Sequence, residues 1–555
     1  MGFISDRKIN WIHILLNLFI LCTVIYVSLL AWVPPVSRDA LTHHLAVPKL
    51  YLQHGGIYEI THLNFSYYPM NLDLLYLIPL YFGNDILPKF IHLAFAAATA
   101  VLIFWYLSRR MNMAYGLFGS LFFLTIPVIV RLSSTVYVDL GLIFFLFASL
   151  LCLFLWTENG FKQRYLLLSA MLCGLALGTK YNGLIGLFLL GIFAAFVYAR
   201  YKVKEKAVSL KAAGWGAAFF LIALIVFSPW MIRNFVWTGN PVYPLYNGVF
   251  NPEYSYENAE LNAGDQKKPH ISHIQFRRQV YNESWLEIAL IPLRVFFQGE
   301  DDNPQYFDGK TSPFLFLLPV FAFFGISRDS RQQRNEKLLM LLFSALFLLY
   351  ACAQASIRIR YFSPILPPLV ILSLFGIYNL RSIVLGRIFR LSEPVKKIVI
   401  FGITFAILGL NVCYMIDRFE KDRPLDYITG KITRDEYIQA FRPEYATFKY
   451  ANKNLSANDK IFGLFLGNRG YYSDIQIEFG IDLFDLCLTQ PENGKHLAEA
   501  LVQKGFSHIL MNFKMFNHLV KKISAQNKMI LKDFFDKHTA KVFTKDGYGL
   551  LKINL

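Results

Sequence analysis

About eleven stretches of roughly 20 apolar residues recur along the chain, each long enough to cross the hydrocarbon core of a bilayer once. A chain built this way satisfies its backbone by running most of its length as membrane-crossing helices. The stretches are 11–33, 86–107, 113–130, 138–156, 165–179, 183–199, 213–230, 312–327, 338–355, 362–380 and 398–416. Composition agrees: of 555 residues, 55% are hydrophobic and 17% charged, with a mean hydropathy of +0.39, outside the range of soluble chains. Aromatics at 16%, with 52 Phe and 31 Tyr, suit lipid-facing helices with interfacial belts.

The formal charge of +17 invites a nucleic-acid partner, but its distribution excludes one. Most of the excess sits in alternate short loops: Arg7/Lys8, Arg109/Arg110, Lys162/Arg164, Arg200 through Lys211, Arg328 through Lys337 and Arg381 through Lys397. By the positive-inside rule these loops and the N-terminus are cytoplasmic. The connections 34–85, 131–137, 231–311 and 356–361, and everything after Met415, then lie outside. The first apolar segment has no small-residue cleavage site and is followed by other spans, so it reads as a retained anchor. Five of the six cysteines (Cys22, Cys152, Cys173, Cys352, Cys413) fall within spans and Cys487 alone in the tail, so cysteine usage says nothing about redox compartment.

The chain divides accordingly into a transmembrane domain, 1–416, with large outer loops at 34–85 and 231–311, and a soluble C-terminal α/β domain, 417–555. In the tail, Lys460 to Leu466, Ser507 to Met511 and Gly547 to Ile553 read as strands, and Glu436 to Asn452 and Gly494 to Lys504 as helices. It holds no phosphate-cradling glycine loop and no Cys/His metal spacing, and reads as a recognition or stabilising module. No solenoid repeat is present, and the unequal outer loops weigh against an inverted-repeat transporter.

Chemistry-bearing residues collect in the outer loops. Pro34 and Pro35 stop the first helix, and Asp39 follows at the membrane surface, where the polar head of a lipid-borne substrate would lie. Asp39 and His43 stand four apart and share a face if the segment is helical; with His44 they form a hydrogen-bonded group or candidate ligands for a divalent metal. The segment Asn71 to Tyr81, too short to span and interrupted by Pro79, is expected along the interface. Asp139 opens an apolar helix, which is costly unless the acid meets protein, water or a counter-charge, although a helix-start acid also complements the dipole. Lys180, in Gly178-Thr-Lys-Tyr-Asn-Gly183, can pair with a buried carboxylate, bind phosphate, or merely snorkel. Arg233 leaves its helix in a Trp- and Pro-rich exit typical of an interfacial belt and of sugar-contacting surfaces. Arg358, Arg360 and Tyr361 place two cations on the outer side against the orientation trend; they suit an anionic phosphate or an internal pair with Asp139 or Glu59.

The acidic first outer loop, the Val138-Asp-Leu-Gly-Leu-Ile-Phe-Phe145 helix entry, the Gly-Thr-Lys-Tyr-Asn-Gly turn, the Pro229-Trp230 exit and the extracytoplasmic tail together resemble the GT-C membrane glycosyltransferases. The branch they resemble contains protein O-mannosyltransferases and bacterial aminoarabinose transferase. The resemblance implies a GT-C-like fold in a multi-pass protein of the bacterial inner membrane, with a periplasmic C-terminal domain. It implies transfer, with inversion, of a sugar from a polyprenyl phosphate to a lipid, glycan or protein acceptor on the outer face. Asp39 matches the family's first-loop aspartate, Asp139 a second acid and Lys180 a lysine of the same cavity. Where many relatives carry Asp-Glu, this chain has Asp39-Ala40, then His43 and His44. In that setting Asp39 would act as general base, and Lys180, Arg358 or Arg360 would stabilise the departing phosphate. No nucleotide site is needed; a divalent metal is the candidate cofactor. The competing readings are a lipid-linked sugar flippase and a non-catalytic envelope assembly protein.

Overall fold

The computed structural model describes residues 11–252, 273–353, 357–480, 484 and 493–555. Arg7/Lys8, Ser356, Cys487 and the middle of the loop 231–311 lie outside the described residues. Among the described residues, eight helices are long and apolar enough to span a membrane: Trp11–Ala31, Leu87–Arg110, Asp139–Glu158, Gly183–Tyr201, Val208–Thr238, Arg331–Cys352, Ile359–Ile388 and Glu393–Asp422. The protein is a polytopic α-helical membrane protein. Met113–Thr125 and Pro127–Ser133 are together long and apolar enough for a ninth, but are bent by 68°, the geometry of a broken span or a re-entrant pair. Proline biases the residue before it to extended backbone, and Ile126 adopts φ −56°, ψ 128°, which ends the first half. By length and apolar composition the described residues thus supply eight such helices, or nine with the bent pair, against the expected count of about eleven. The windows at 165–179 and 312–327 fold as helices of 15 residues, Gln163–Leu177, and 8 residues, Phe314–Phe321, too short to cross alone.

The helix ends that carry the basic loops meet at one end of the bundle. Arg110 bridges Glu158 and Glu336, with Nη2 2.5 Å from Glu336 Oε1, and Tyr106 donates to Glu336 Oε2 at 2.7 Å. Arg331 donates to the Arg200 carbonyl at 2.8 Å. Asp139 and Arg360 stand near the starts of their helices, Lys180 just before another, and Asp39 in the loop after Ala31. These four therefore lie at the opposite end.

There, Lys89 Nζ donates to the Val33 carbonyl at 2.7 Å and the Pro34 carbonyl at 3.4 Å, fastening the chain where it leaves its first helix. A π-helical turn, Ala40–His44, and helices Ala46–His54 and Asn71–Tyr81 follow. The last of these buries Leu72, Asp73, Tyr76 and Pro79 and leaves Leu75, Ile78 and Tyr81 exposed, the two-faced pattern of a helix lying along an interface.

The helix Glu393–Asp422 runs beyond residue 416 and leads into the tail. The tail's sheet has the order β2-β1-β3-β5-β4: β1 (Lys460–Leu464) pairs in parallel with β2 (Gln476–Phe479) and β3 (His508–Asn512), and β5 (Tyr548–Ile553) runs antiparallel to β3 and β4 (Thr539–Lys545). The expected helix 436–452 is two, Arg434–Phe441 and Tyr445–Asn454, because Pro443 interrupts it. The tail closes onto the first loop. Tyr472 donates to the Pro35 carbonyl at 2.8 Å, the Tyr471 N–H to the Leu41 carbonyl at 3.1 Å, and Lys49 Nζ is held by the Tyr471 and Ser473 carbonyls and Asp474 at 2.8–3.0 Å.

Candidate active site

Four charged groups from four separated segments converge. Lys180 Nζ lies 2.6 Å from Asp139 Oδ1, and Arg360 Nη2 lies 2.6 Å from Asp39 Oδ2. The other nitrogen of the fork, Nη1, is 4.0 Å from Asp139 Oδ2. Aromatic faces surround the cations: Arg360 packs over Tyr137 at 4.8 Å and beside Tyr361 at 5.3 Å, and Lys180 over Tyr361 at 5.2 Å. Such rings add cation–π attraction, which is strongest for a desolvated cation such as the buried Arg360. Asp139 is wholly buried, so Lys180 answers the cost of placing a carboxylate there. Asp139 thus opens its helix and faces Lys180 at the same time.

His92 fixes where that helix begins. Its Nδ1 contacts the Leu132 and Thr135 carbonyls at 3.0 Å and its Nε2 accepts the Leu140 N–H at 2.9 Å. These partners require the proton on Nδ1. Tyr76 donates to the Tyr137 carbonyl at 2.5 Å, holding the turn just before Asp139.

The two loop histidines have separate surroundings. His44 Nδ1 lies 2.8 Å from Asp73 Oδ1, both buried. Burial pushes Asp73 up to about 7 and His44 down to about 3, so the pair favours its uncharged forms with one proton between them. His43 stacks on Phe65 at 4.5 Å; burial lowers it to about 3, and its Nδ1 has no hydrogen-bond partner. Burial alone would raise the Asp39 carboxyl, but the Arg360 charge and hydrogen bond hold it well below the usual carboxylate range, with His43 and His44 acting in the same direction.

Asp39 also faces a cavity of about 470 Å³ that contains Arg38, Lys89, Arg131, Arg358, Arg418, Lys421 and Arg442, against Asp302, Asp308 and Asp422. Arg358 reaches it paired with Asp308 at 3.4 Å. Arg131, carried in by the bent helix pair, is ringed by Asp301, Asp302 and Asp308 at 2.8–3.2 Å. Arg233 does not join the cluster. It lies between Trp230 and Trp237 and donates to the Tyr67 and Tyr68 carbonyls at 2.6 and 3.2 Å, which secures the loop wall.

The donor set does not match a metal site as arranged. Asp39 is taken by Arg360 and His44 by Asp73, and among the described residues no three His, Cys, Asp or Glu side chains converge on one point. No step below runs through a metal. Sequence reading did not single out Asp73, Tyr137 or His92. A polar residue on an otherwise apolar segment was the available signal for Asp73 and His92; Tyr137 had none beyond standing two residues before Asp139.

The helical bundle, with acids and cations gathered at one end beneath a docked tail, has the GT-C fold. Residues 69–232 match the family model described as dolichyl-phosphate-mannose-protein mannosyltransferase, a stretch that carries Asp73, Asp139 and Lys180. Among solved structures, ArnT from Cupriavidus metallidurans in the apo state matches at 13% identity and TM-score 0.56, over 96% of this chain and 97% of that one. The same enzyme bound to undecaprenyl phosphate matches at 12% and 0.53 over the same shares. The archaeal oligosaccharyltransferase AglB from Archaeoglobus fulgidus, in complex with an inhibitory peptide and a dolichol-phosphate, matches at 10% and 0.52, over 98% of this chain and 75% of that one. Comparison with curated protein sequences finds no match.

Proposed function

We propose that this chain is an inverting glycosyltransferase that moves a sugar from a polyprenyl phosphate to a lipid, glycan or protein acceptor at the outer face of a bacterial inner membrane. In this reading the N-terminus is cytoplasmic and the C-terminal domain periplasmic. The observation that carries it is the pairing of two acids, Asp39 and Asp139, with two cations, Arg360 and Lys180, beside the basic cavity at one membrane surface. The polyprenyl phosphates named for the matched ArnT and AglB structures support the donor class.

Asp39 takes the proton of an acceptor hydroxyl as the acceptor oxygen attacks the anomeric carbon from the side opposite the phosphate. The bond from that carbon to the phosphate oxygen breaks, and its electron pair leaves with the polyprenyl phosphate. Arg360, Lys180 and Arg358 offset the charge gathering on the phosphate, an interaction strengthened in a site poor in water. Tyr361 keeps both cations in place. A divalent cation held by Asp39, His43 and His44 would require Asp39 to leave Arg360 and His44 to leave Asp73.

The test is transfer from a polyprenyl-phosphate sugar in membranes carrying the variants. Asp39→Asn should lower transfer about a hundredfold or more while the protein folds normally; full transfer would remove Asp39 as the base. Arg360→Ala should weaken use of the donor, and unchanged donor binding would remove it from the phosphate site.

A further inference from the structure

Arg360 is shared unequally between two carboxylates. It is bonded to Asp39 Oδ2 at 2.6 Å, whereas Asp139 Oδ2 stands 4.0 Å from its other arm. Lys180 occupies Asp139 Oδ1, and Asp139 Oδ2 is buried with no hydrogen-bond partner. A buried carboxylate oxygen left unpaired is costly, so this atom is a second acceptor waiting for the same guanidinium. A shift of roughly 1 Å would bring it to hydrogen-bond length. The guanidinium lies against the rings of Tyr137 and Tyr361, and a flat cation on ring faces can move in its plane without losing that contact.

We propose that Arg360 changes partners during the reaction: it pins Asp39 while the site is empty, and moves to the donor phosphate and Asp139 Oδ2 when the donor enters, leaving Asp39 free to act. This rests on the reading of the chain as a polyprenyl-phosphate-dependent transferase. The groups that face Asp39 are Arg360, His43, His44 and Tyr137, with Arg38, Lys89, Arg131, Arg358, Arg418, Lys421 and Arg442, and the acids Asp302, Asp308 and Asp422, around the cavity. Of these Arg360 exerts the largest pull toward the ionised form, and a carboxylate so held accepts a proton poorly. Once the guanidinium leaves, burial favours the protonated form. The acceptor O–H proton then passes to Asp39, the acceptor oxygen bonds to the anomeric carbon, and the phosphate departs with the electron pair of the broken bond. When the polyprenyl phosphate leaves, Arg360 returns to Asp39 and the proton passes to water in the cavity.

Two ligands that compete for one cation antagonise each other reciprocally. Full-length protein in nanodiscs should therefore bind undecaprenyl monophosphate more tightly as Asp39→Asn than as wild type, by about tenfold, the usual scale of such coupling. Arg360→Gln should bind it more weakly, and the gain from Asp39→Asn should vanish in the Arg360→Gln background. Arg360→Lys, which keeps the charge but loses the fork, should retain binding while shrinking the gain, and it replaces Arg360→Gln if that variant does not fold. Equal or weaker binding by Asp39→Asn, with a wild type that binds, overturns the exchange and leaves the donor reading standing. A gain that persists without Arg360 reflects general electrostatics and also overturns it. Failure of the wild type to bind removes the donor reading first, and the exchange with it.

Discussion

Asp139 shows how a membrane site makes one residue serve two ends. Its burial is tolerated because Lys180 sits 2.6 Å away, so the pair should behave as a unit in stability as well as function. Lys180→Ala should cost about 3 kcal/mol by stranding a buried charge, and adding Asp139→Asn should recover much of it; thermal unfolding of the single and double variants measures this. The His44–Asp73 pair makes a pH prediction. Asp73, at about 7 when folded, lies above its unfolded value of about 4, so it removes stability as pH rises from about 4 to 7. His44, at about 3 when folded, lies below its unfolded value of about 6.5, so it adds stability as pH rises from about 3 to 6.5. The two trends oppose in the native protein. In His44→Gln only the Asp73 trend remains, and the melting temperature should fall between pH 4 and 7 more steeply than in wild type. At this scale the sequence made Asp39, Asp139, Lys180 and Arg360 visible because charged residues at the edges of apolar helices stand out. Which cation meets which acid was not visible, since each pair joins segments far apart in the chain.

The bent helix pair at Thr125-Ile126-Pro127 matters at the scale of elements, because it delivers Arg131 to Asp301, Asp302 and Asp308. Pro127→Ala restores an N–H and relaxes the bias on Ile126, which should straighten the pair and withdraw Arg131. Arg131→Ala should destabilise by about 2 kcal/mol, between exposed and fully buried pairs. If Pro127→Ala melts as wild type does, the bend is not what places the arginine. Reading 113–130 as one straight span followed apolar length and passed over the proline inside it. The same bias hid β4: Lys545-Asp546-Gly547-Tyr548 joins it to β5 with positive φ at both Asp546 and Gly547, a two-residue hairpin signal standing in the sequence. β2 is four residues long, too short for periodicity to reveal.

Across the whole molecule, the basic loops, the apolar windows and the polar tail together made the architecture legible, because the bilayer restricts a chain to few solutions. The seating of the tail was not legible, because hydrogen bonds from Tyr471 and Tyr472 to backbone carbonyls of the first loop leave no mark on composition or spacing. Lys49→Met should loosen that seating, and hydrogen exchange across 467–475 should quicken relative to the sheet. The cavity beside Asp39 draws its walls from the first loop, from residues 302–308 and from Arg418 to Arg442. A chain whose helices have packed but whose tail is not yet seated thus has Asp39, Asp139, Lys180 and Arg360 and a chamber that lacks Tyr437, Phe441 and Arg442. The chamber beside Asp39 is therefore closed only when the tail docks, which makes its closure the last event of folding and not a property of the helical bundle alone.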